Sequence, residues 1–171
     1  MLRLAGIAND SIVDGPGIRV TIFGQGCPHH CHGCQNPETW NDAGGTLVEE
    51  QELVQIIEKN PLAKGVTFSG GEPFAQAESF GVLAKLLKDT GYEVASYSGY
   101  TFEELLNGTK EQKELLRKID VLIDGRYEED KRSLNLIYRG STNQRIIDVP
   151  ESLAQGKAVE ITGGRWAGEY L

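Results

Sequence analysis

Short β-type segments alternate with amphipathic helical segments along most of this chain. The helical spacing of apolar residues predicts helices over residues 48–59, 75–88 and 110–118. Strand patterns rich in β-branched and aromatic residues separate them, over residues 18–24, 65–69, 92–98 and 120–124. Thr101 begins a further helical segment with a capping-box pattern. Because strands that alternate with helices form parallel sheets with right-handed crossovers, the sequence predicts an α/β fold with mainly parallel strands.

The last part of the chain follows this pattern less clearly. Residues 125–143 are polar and charged with little periodicity, which predicts a long excursion. Weaker strand patterns at residues 145–149 and 159–162 flank a short helix after Pro150. The resulting total of about four to six parallel strands is too few for an eightfold barrel of about 250 residues. We therefore expect a single domain over residues 1–171, folded as a partial, open β/α barrel.

The formal net charge of −8 over 171 residues excludes several classes of partner. No basic patch or Lys/Arg run is present, so we expect neither nucleic acid nor an anionic membrane surface as a partner. No segment approaches the roughly 20 apolar residues of a membrane-spanning helix, and no signal-peptide pattern precedes the first strand. We expect a cytoplasmic protein, since an odd number of clustered cysteines fits a reducing compartment.

All three cysteines lie in one segment, Cys27-Pro-His-His-Cys31-His-Gly-Cys34. This C-x3-C-x2-C loop supplies soft thiolates, which select an iron–sulfur cluster, zinc or Cu(I). Structural metal sites are normally closed by four ligands, whereas catalytic sites keep one position open. Three thiolates with a vacant position therefore indicate a reactive site. The alternative is a zinc ion that takes its fourth ligand from His29, His30 or His32.

Polar and glycine-rich segments follow the predicted strands at their carboxyl ends. The cysteine loop follows the first strand, and the segments after the other three are residues 69–73, 96–99 and 124–126. Ligand sites in parallel α/β sheets lie at the carboxyl ends of the strands. We therefore expect these four loops to converge on one site, although Gly70-Gly71-Glu72-Pro73 also fits an ordinary strand-to-helix turn.

Two of these motifs, taken together, resemble the signature of the radical S-adenosylmethionine (SAM) superfamily. The C-x3-C-x2-C motif follows the first predicted strand, and residues 70–73 are similar to the GGEP motif after the second. The resemblance implies a [4Fe-4S] cluster on Cys27, Cys31 and Cys34, whose fourth iron binds SAM. It implies reductive cleavage of SAM to a 5′-deoxyadenosyl radical. The residues that it places against SAM are Gly33, Cys34, Gln35, Gly70, Gly71 and Glu72.

A narrower resemblance concerns the segments around these motifs. Residues 11–19 and 35–40 resemble glycyl-radical-enzyme activases, which install a radical on a glycine of a large partner enzyme. Residues 97–101, 121–125 and 139–144 resemble the branch that activates anaerobic ribonucleoside-triphosphate reductase. The resemblance implies that this large glycyl radical enzyme is the partner, with flavodoxin or a similar protein as electron donor.

The resemblance also implies roles outside the two motifs. Asp14 is expected to meet the incoming glycine loop or to position the cluster side of the site. Asp124 and Arg126 are placed near SAM or an accompanying cation, and Ser96 and Ser98 near the ribose. Ordinary structural roles remain open, because Asp14 fits a tight turn, Asp124 a capped turn and the serines a strand end.

Two alternatives to an activase remain open at this point. A radical SAM enzyme of the 7-carboxy-7-deazaguanine synthase type would act on a small molecule in a closed pocket. A noncatalytic zinc-binding domain would use the cysteines with a neighbouring histidine. If SAM occupies the open iron, the three histidines are expected to face solvent or to hydrogen-bond to cluster sulfur. Trp40 and Tyr100 are expected to serve in packing, and residues 163–166 to form an ordinary tail, with a docking element as the alternative.

Overall fold

A seven-stranded sheet organises residues 1–169, the part of the chain that this computed structural model describes. In chain order its strands are β1 Leu2–Ser11, β2 Arg19–Gly24, β3 Thr46–Val48, β4 Gly65–Gly70, β5 Glu93–Ser98, β6 Val121–Asp124 and β7 Arg145–Asp148. Their order across the sheet is β3-β1-β2-β4-β5-β6-β7. The four central strands, β2, β4, β5 and β6, run parallel, whereas β1, β3 and β7 pair antiparallel with their neighbours.

The four predicted parallel strands are confirmed as β2, β4, β5 and β6. Most of their residues are buried, because protein covers both faces of the central sheet. Near-continuous runs of β-branched and aromatic residues are what such doubly covered strands require. This composition is the reason that the strand patterns could be recognised.

Helices connect these strands as predicted. They are α1 Glu50–Glu58, α2 Ala77–Thr90, α3 Phe102–Leu106, α4 Lys110–Leu116 and α5 Val149–Gln155. The capping box predicted at Thr101 is confirmed, since its Oγ1 accepts from the Glu104 N–H and its own N–H donates to the Glu104 carboxylate, both at 3.1 Å. Among residues 1–169, no helix has the length and apolar composition needed to cross a membrane.

The edges of the sheet differ from the prediction. β1 gives no clear strand pattern because Gly6 and the polar pair Asn9-Asp10 interrupt its alternation, and β3 has only three residues. β7 is antiparallel rather than parallel. The strand predicted at residues 159–162 is wrong, since the structure has only an isolated bridge between Glu160 and Ile147. The sheet is open, with β3 and β7 at its edges, so the predicted partial barrel is not confirmed.

One face of the sheet packs against the helices. Val20, Ile22 and Phe68 belong to this face, and they share the main core with Phe80 and Leu83 of α2. Because side chains alternate between the faces of a strand, the intervening residues point to the opposite side. The hydrophobic faces of the helices therefore cover one side of the sheet only.

The opposite face is more polar and is covered by loop segments. Arg19 is buried there, with its Nε donating to Thr67 Oγ1 at 2.9 Å and its Nη1 donating to Glu93 Oε1 at 2.8 Å. The ring of Trp166 lies 5.1 Å from the Arg19 guanidinium and joins a second apolar cluster with Ile123. Trp166 therefore covers this face, and the prediction of an ordinary tail at residues 163–166 is wrong.

Candidate active site

A cavity of about 390 Å³ lies at the carboxyl ends of the parallel strands. The loops after β2, β4, β5 and β6 all contribute to its wall, as the strand order predicts. The predicted site residues that line it are Asp14, Cys27, Cys31, Cys34, Gln35, Gly70, Gly71, Ser98 and Arg126. The lining residues do not include Gly33, Glu72, Ser96 and Asp124.

The cysteine loop is irregular and carries three free, partly buried thiols. Pro28 opposes regular helix, and the backbone takes positive φ angles at Gly26, His30 and Gly33. His30, at φ 49°, is a non-glycine residue in the left-handed region, and its ring stacks on Trp40 with centroids 4.5 Å apart. Such backbone strain persists only where surrounding contacts hold it. The loop is therefore held in one specific conformation on the cavity wall.

The Asn36 N–H donates to Cys34 Sγ at 3.4 Å. Burial raises the pKa of the Cys27 and Cys31 thiols, whereas the nearby backbone amides of His29, His30 and Tyr127 favour the thiolates. Hydrogen bonds to the ligand sulfurs are a general feature by which proteins tune iron–sulfur clusters. The three cysteines therefore fit a cluster with three protein ligands.

Gly70 and Gly71 bring the loop after β4 directly against the loop after β2. The Gly71 N–H donates to the Gly24 carbonyl, and the Glu72 N–H donates to the Gly26 carbonyl, both at 2.8 Å. A Cβ atom on residue 70 would lie 2.6 Å from the Gly24 backbone, and one on residue 71 would overlap the Gly26 carbonyl. Close packing of two backbones therefore requires both glycines, independently of any ligand.

The Glu72 carboxylate is 1% exposed and receives its hydrogen bonds from the protein. Its Oε1 accepts from the Gly99 N–H at 2.7 Å, and its Oε2 accepts from the Phe74 N–H at 2.9 Å. Ser98 Oγ lies 3.1 and 2.9 Å from the two oxygens, and His29 Nε2 lies 2.7 Å from Oε1. A buried carboxylate needs such donors to offset the loss of water. Glu72 thus connects several loops behind the cavity wall.

The histidines of the cysteine loop occupy three different environments. The His29 side chain is 4% exposed and bonds to Glu72 and Arg126, so the expectation that it faces solvent or bonds to sulfur is wrong. His30 stacks on Trp40, as described above, and both His30 and His32 are exposed. The expectation of a solvent-facing residue therefore describes His30 and His32 but not His29.

Asp14 and Ser96 both make contacts within the protein. Asp14 lines the cavity, and its Oδ2 accepts from Ser11 Oγ at 2.8 Å and from Thr21 Oγ1 at 3.1 Å. Ser96 is buried within β5, where its Oγ donates to the Tyr97 carbonyl at 2.9 Å. Asp14 is thus beside the cavity, whereas the structure places Ser96 away from the wall.

Asp124 is buried behind the cavity wall, whereas Arg126 lines it. The Asp124 carboxylate accepts hydrogen bonds from the Phe102 N–H at 2.7 Å and from Arg145 Nε and Nη2 at 3.1 and 2.6 Å. Hydrogen bonding to Asp124 raises the pKa of the Arg145 guanidinium. These contacts join the start of α3 to β7, so the capped-turn interpretation describes Asp124 in this structure.

Two buried N–H groups without a protein acceptor belong to residues that line the cavity. They are Trp40 Nε1 and Arg139 Nε. An unpaired buried donor is costly unless a ligand or water accepts its hydrogen bond, so both fit an acceptor-rich ligand. The sequence predicts a packing role for Trp40 and no individual role for Arg139, which belongs to the segment 139–144 that resembles the activase branch. Neither periodicity nor motif spacing marks them, because their unpaired state depends on the tertiary fold.

Comparison with known proteins identifies the family. Residues 13–147 match a family model described as a 4Fe-4S single cluster domain. An anaerobic ribonucleoside-triphosphate reductase-activating protein from Pasteurella multocida (strain Pm70) is 38% identical over 144 residues, which cover 79% of this chain and 90% of that protein. The chain belongs to this family of activating proteins. The protein of the same name from Enterobacteria phage T4 is 37% identical over 141 residues, covering 78% of this chain and 86% of that protein.

The cofactors of this family member are a [4Fe-4S] cluster and SAM. Three free thiols on one cavity wall fit the cluster, and two unpaired donors in that wall fit a polar ligand beside it. Within residues 1–169, no three His, Cys, Asp or Glu side chains lie at the spacing of a site for one metal ion. Among solved structures, that of QueE from Escherichia coli has 15% sequence identity and a TM-score of 0.48, covering 72% of this chain and 70% of that one.

Proposed function

We propose that this chain is an activating enzyme that generates a glycyl radical on an anaerobic ribonucleoside-triphosphate reductase. The observation that carries the proposal is the position of Cys27, Cys31 and Cys34, three free thiols on the wall of one cavity. Three protein ligands leave one iron of a four-iron cluster with a position for SAM. Membership of a family named for this reductase supports it as the partner.

The proposed reaction consumes one SAM and one electron for each radical formed. When bound, the cluster supplies that electron, the C–S bond of SAM breaks, and hydrogen transfer from a glycine Cα leaves methionine, 5′-deoxyadenosine and the glycyl radical. The chain itself binds and orients the reactants. In this proposal Asp14 meets the glycine-bearing segment, and the cavity-lining residues around SAM are Cys34, Gln35, Gly70, Gly71, Ser98 and Arg126. Gly33 supports them from within the cysteine loop.

We further propose that residues 1–171 act as one domain with the shortened, open barrel of the radical SAM type. An incomplete barrel leaves room for a loop of another protein beside the carboxyl ends of the strands. Large apolar side chains are exposed on two segments that border the cavity: Ile12, Val13, Leu134 and Ile137. Exposed apolar groups beside a cavity are typical of protein-binding surfaces, which supports a protein substrate over a small molecule.

An external protein must supply the electron, and flavodoxin or a similar carrier fits this role. All three cysteines of the chain serve the one cluster, so no thiols remain for a second iron–sulfur centre. The proposal places the enzyme in the cytoplasm, where thiols remain reduced and available as cluster ligands.

Electron paramagnetic resonance (EPR) spectroscopy tests the proposed function directly. The reconstituted chain, SAM, a reductant and the reductase are mixed without oxygen, and we expect a glycyl-radical doublet together with 5′-deoxyadenosine. Mixtures without SAM should give neither signal. Release of 5′-deoxyadenosine that requires a small molecule and never yields a doublet would contradict the proposal and favour the small-molecule alternative.

Substitution of Arg139 tests the proposed contact between the cavity wall and SAM. Arg139→Gln removes a buried donor without a protein acceptor, so SAM should lose a charge-assisted hydrogen bond. Because such bonds contribute roughly 1.5–3 kcal/mol, we expect the Kd for SAM to rise about 10- to 100-fold. Equilibrium dialysis of the cluster-loaded protein with labelled SAM measures this change.

Arg117→Gln is the matched control for this experiment. Arg117 follows α4, is exposed and forms only an i,i+3 ion pair with Glu114 at 3.5 Å. Its substitution should leave the Kd for SAM unchanged. Equal affinities of the two variants would show that the acceptor for Arg139 is not SAM.

A further inference from the structure

The His29 imidazole lies between two loops of the active site and contacts both. Its Nε2 is 2.7 Å from Glu72 Oε1, and its Nδ1 is 3.2 Å from Arg126 Nε. The ring also meets the Tyr100 ring edge-on at 4.6 Å, and it occupies the space that a side chain on residue 99 would need. His29 is therefore enclosed, although its neighbours Pro28 and His30 are exposed.

These two contacts determine which nitrogen of His29 carries the proton. An arginine Nε–H is a donor only, so His29 Nδ1 must accept and carries no proton. The remaining N–H is on Nε2, where it donates to the Glu72 carboxylate. The hydrogen bonds thus run in one direction, from Arg126 through neutral His29 to Glu72, and they select a single tautomer.

This chain of hydrogen bonds includes residues from all four loops around the cavity. Glu72 itself follows β4, and it also accepts from Ser98 Oγ and the Gly99 N–H after β5. His29 belongs to the cysteine loop after β2, and Arg126 follows β6. His29 therefore links the cysteine loop, which carries the cluster ligands of the proposed function, to the other three loops.

We propose that His29 is a positioning residue that holds the cysteine loop at a set distance from Glu72 and orients the Arg126 guanidinium on the cavity wall. The inference rests on the proposed function, because it assigns His29 the task of keeping the cluster ligands in register with the SAM-binding loops. His29 acts through Glu72 and Arg126 and touches no reacting atom. Its loss displaces SAM relative to the cluster without removing a cluster ligand.

Three variants test this role. His29→Phe keeps an aromatic ring and removes both hydrogen bonds, whereas His29→Gln offers an amide with one donor end and one acceptor end. His32→Phe makes the same change at an exposed histidine of the same loop. Iron content, the Kd for SAM and the SAM-induced change in the EPR spectrum of the reduced cluster are measured for each.

We expect His29→Phe to assemble the cluster but to bind SAM roughly 10- to 100-fold more weakly, the usual effect of losing an outer-sphere partner of a metal site. Its reduced cluster should show a smaller spectral change with SAM. His29→Gln should recover affinity to within about threefold of wild type, since it restores both hydrogen bonds. His32→Phe should behave as wild type.

Several results would overturn the inference. One is wild-type SAM affinity in His29→Phe, and another is equal weakening by His29→Gln and His29→Phe, which would indicate packing alone. If His29→Phe fails to assemble a cluster, the affinity of His29→Gln decides the question. Nitrogen-15 NMR of the cluster-free protein measures the tautomer of His29 without SAM. An Nδ1–H tautomer would contradict the inference. Absence of a glycyl radical with wild-type enzyme would instead refute the proposed function.

Discussion

Replacement of Cys31 by serine is expected to abolish cluster assembly and, with it, every step of the proposed reaction. Serine has the shape of cysteine but not the soft thiolate that selects iron–sulfur clusters. Only two cysteines would remain, because the chain has three in total. Iron and sulfide should fall from about four of each per chain to well below one after reconstitution. Colorimetric iron and sulfide assays measure this change, and the glycyl-radical signal should disappear.

The His32→Phe variant provides the control for Cys31→Ser. It changes the adjacent residue of the same loop and leaves all three thiols in place. We expect it to bind the full complement of iron. A brown, active Cys31→Ser enzyme would contradict ligation by Cys31 and would require another group at that position.

Replacement of Asp124 by alanine is expected to lower the free energy of unfolding by about 3 kcal/mol, near the lower end of the range for a broken buried ion pair. The change removes the Asp124 carboxylate that accepts hydrogen bonds from the Phe102 N–H and from the Arg145 guanidinium. The lower end applies because Arg145 is partly exposed and keeps its ion pair with Glu103. Urea unfolding of the cluster-free protein measures the loss.

Asp89→Ala is the matched control for stability. Asp89 pairs with Lys85 on the surface of α2, and both side chains are 64% exposed. Such a pair contributes at most about 0.5 kcal/mol, so the unfolding curve should hardly move. If Asp124→Ala is as stable as Asp89→Ala but binds SAM weakly, Asp124 is a ligand of SAM or of a cation, as the resemblance implies.

The parallel core of the fold could be predicted because each of its strands carries its own signal. Val20, Ile22 and Phe68 are buried against the helices, and their residue types reveal this in the sequence. β1 could not be predicted in the same way. It is an antiparallel strand with partly exposed residues, and its position depends on pairing with β2 on one side and with β3, a distant strand of only three residues, on the other.

The position of the cysteines on the cavity wall could be predicted from their place after a strand, whereas the surroundings of Glu72 could not. The motif 70–73 marks Glu72, yet the donors that surround it come from His29, Phe74, Ser98 and Gly99. Apart from Phe74, no local pattern relates these positions to Glu72, since they meet only after three loops have been brought together. For the same reason the sequence could not predict that Asp124 is buried against Arg145 while Arg126 lines the cavity.

The packing of Trp166 on Arg19 has a consequence for the order of events during synthesis. Arg19 opens the first parallel strand, whereas Trp166 follows all seven strands of the sheet in the sequence. The second face of the sheet therefore stays uncovered during translation until the segment that carries Trp166 has left the ribosome.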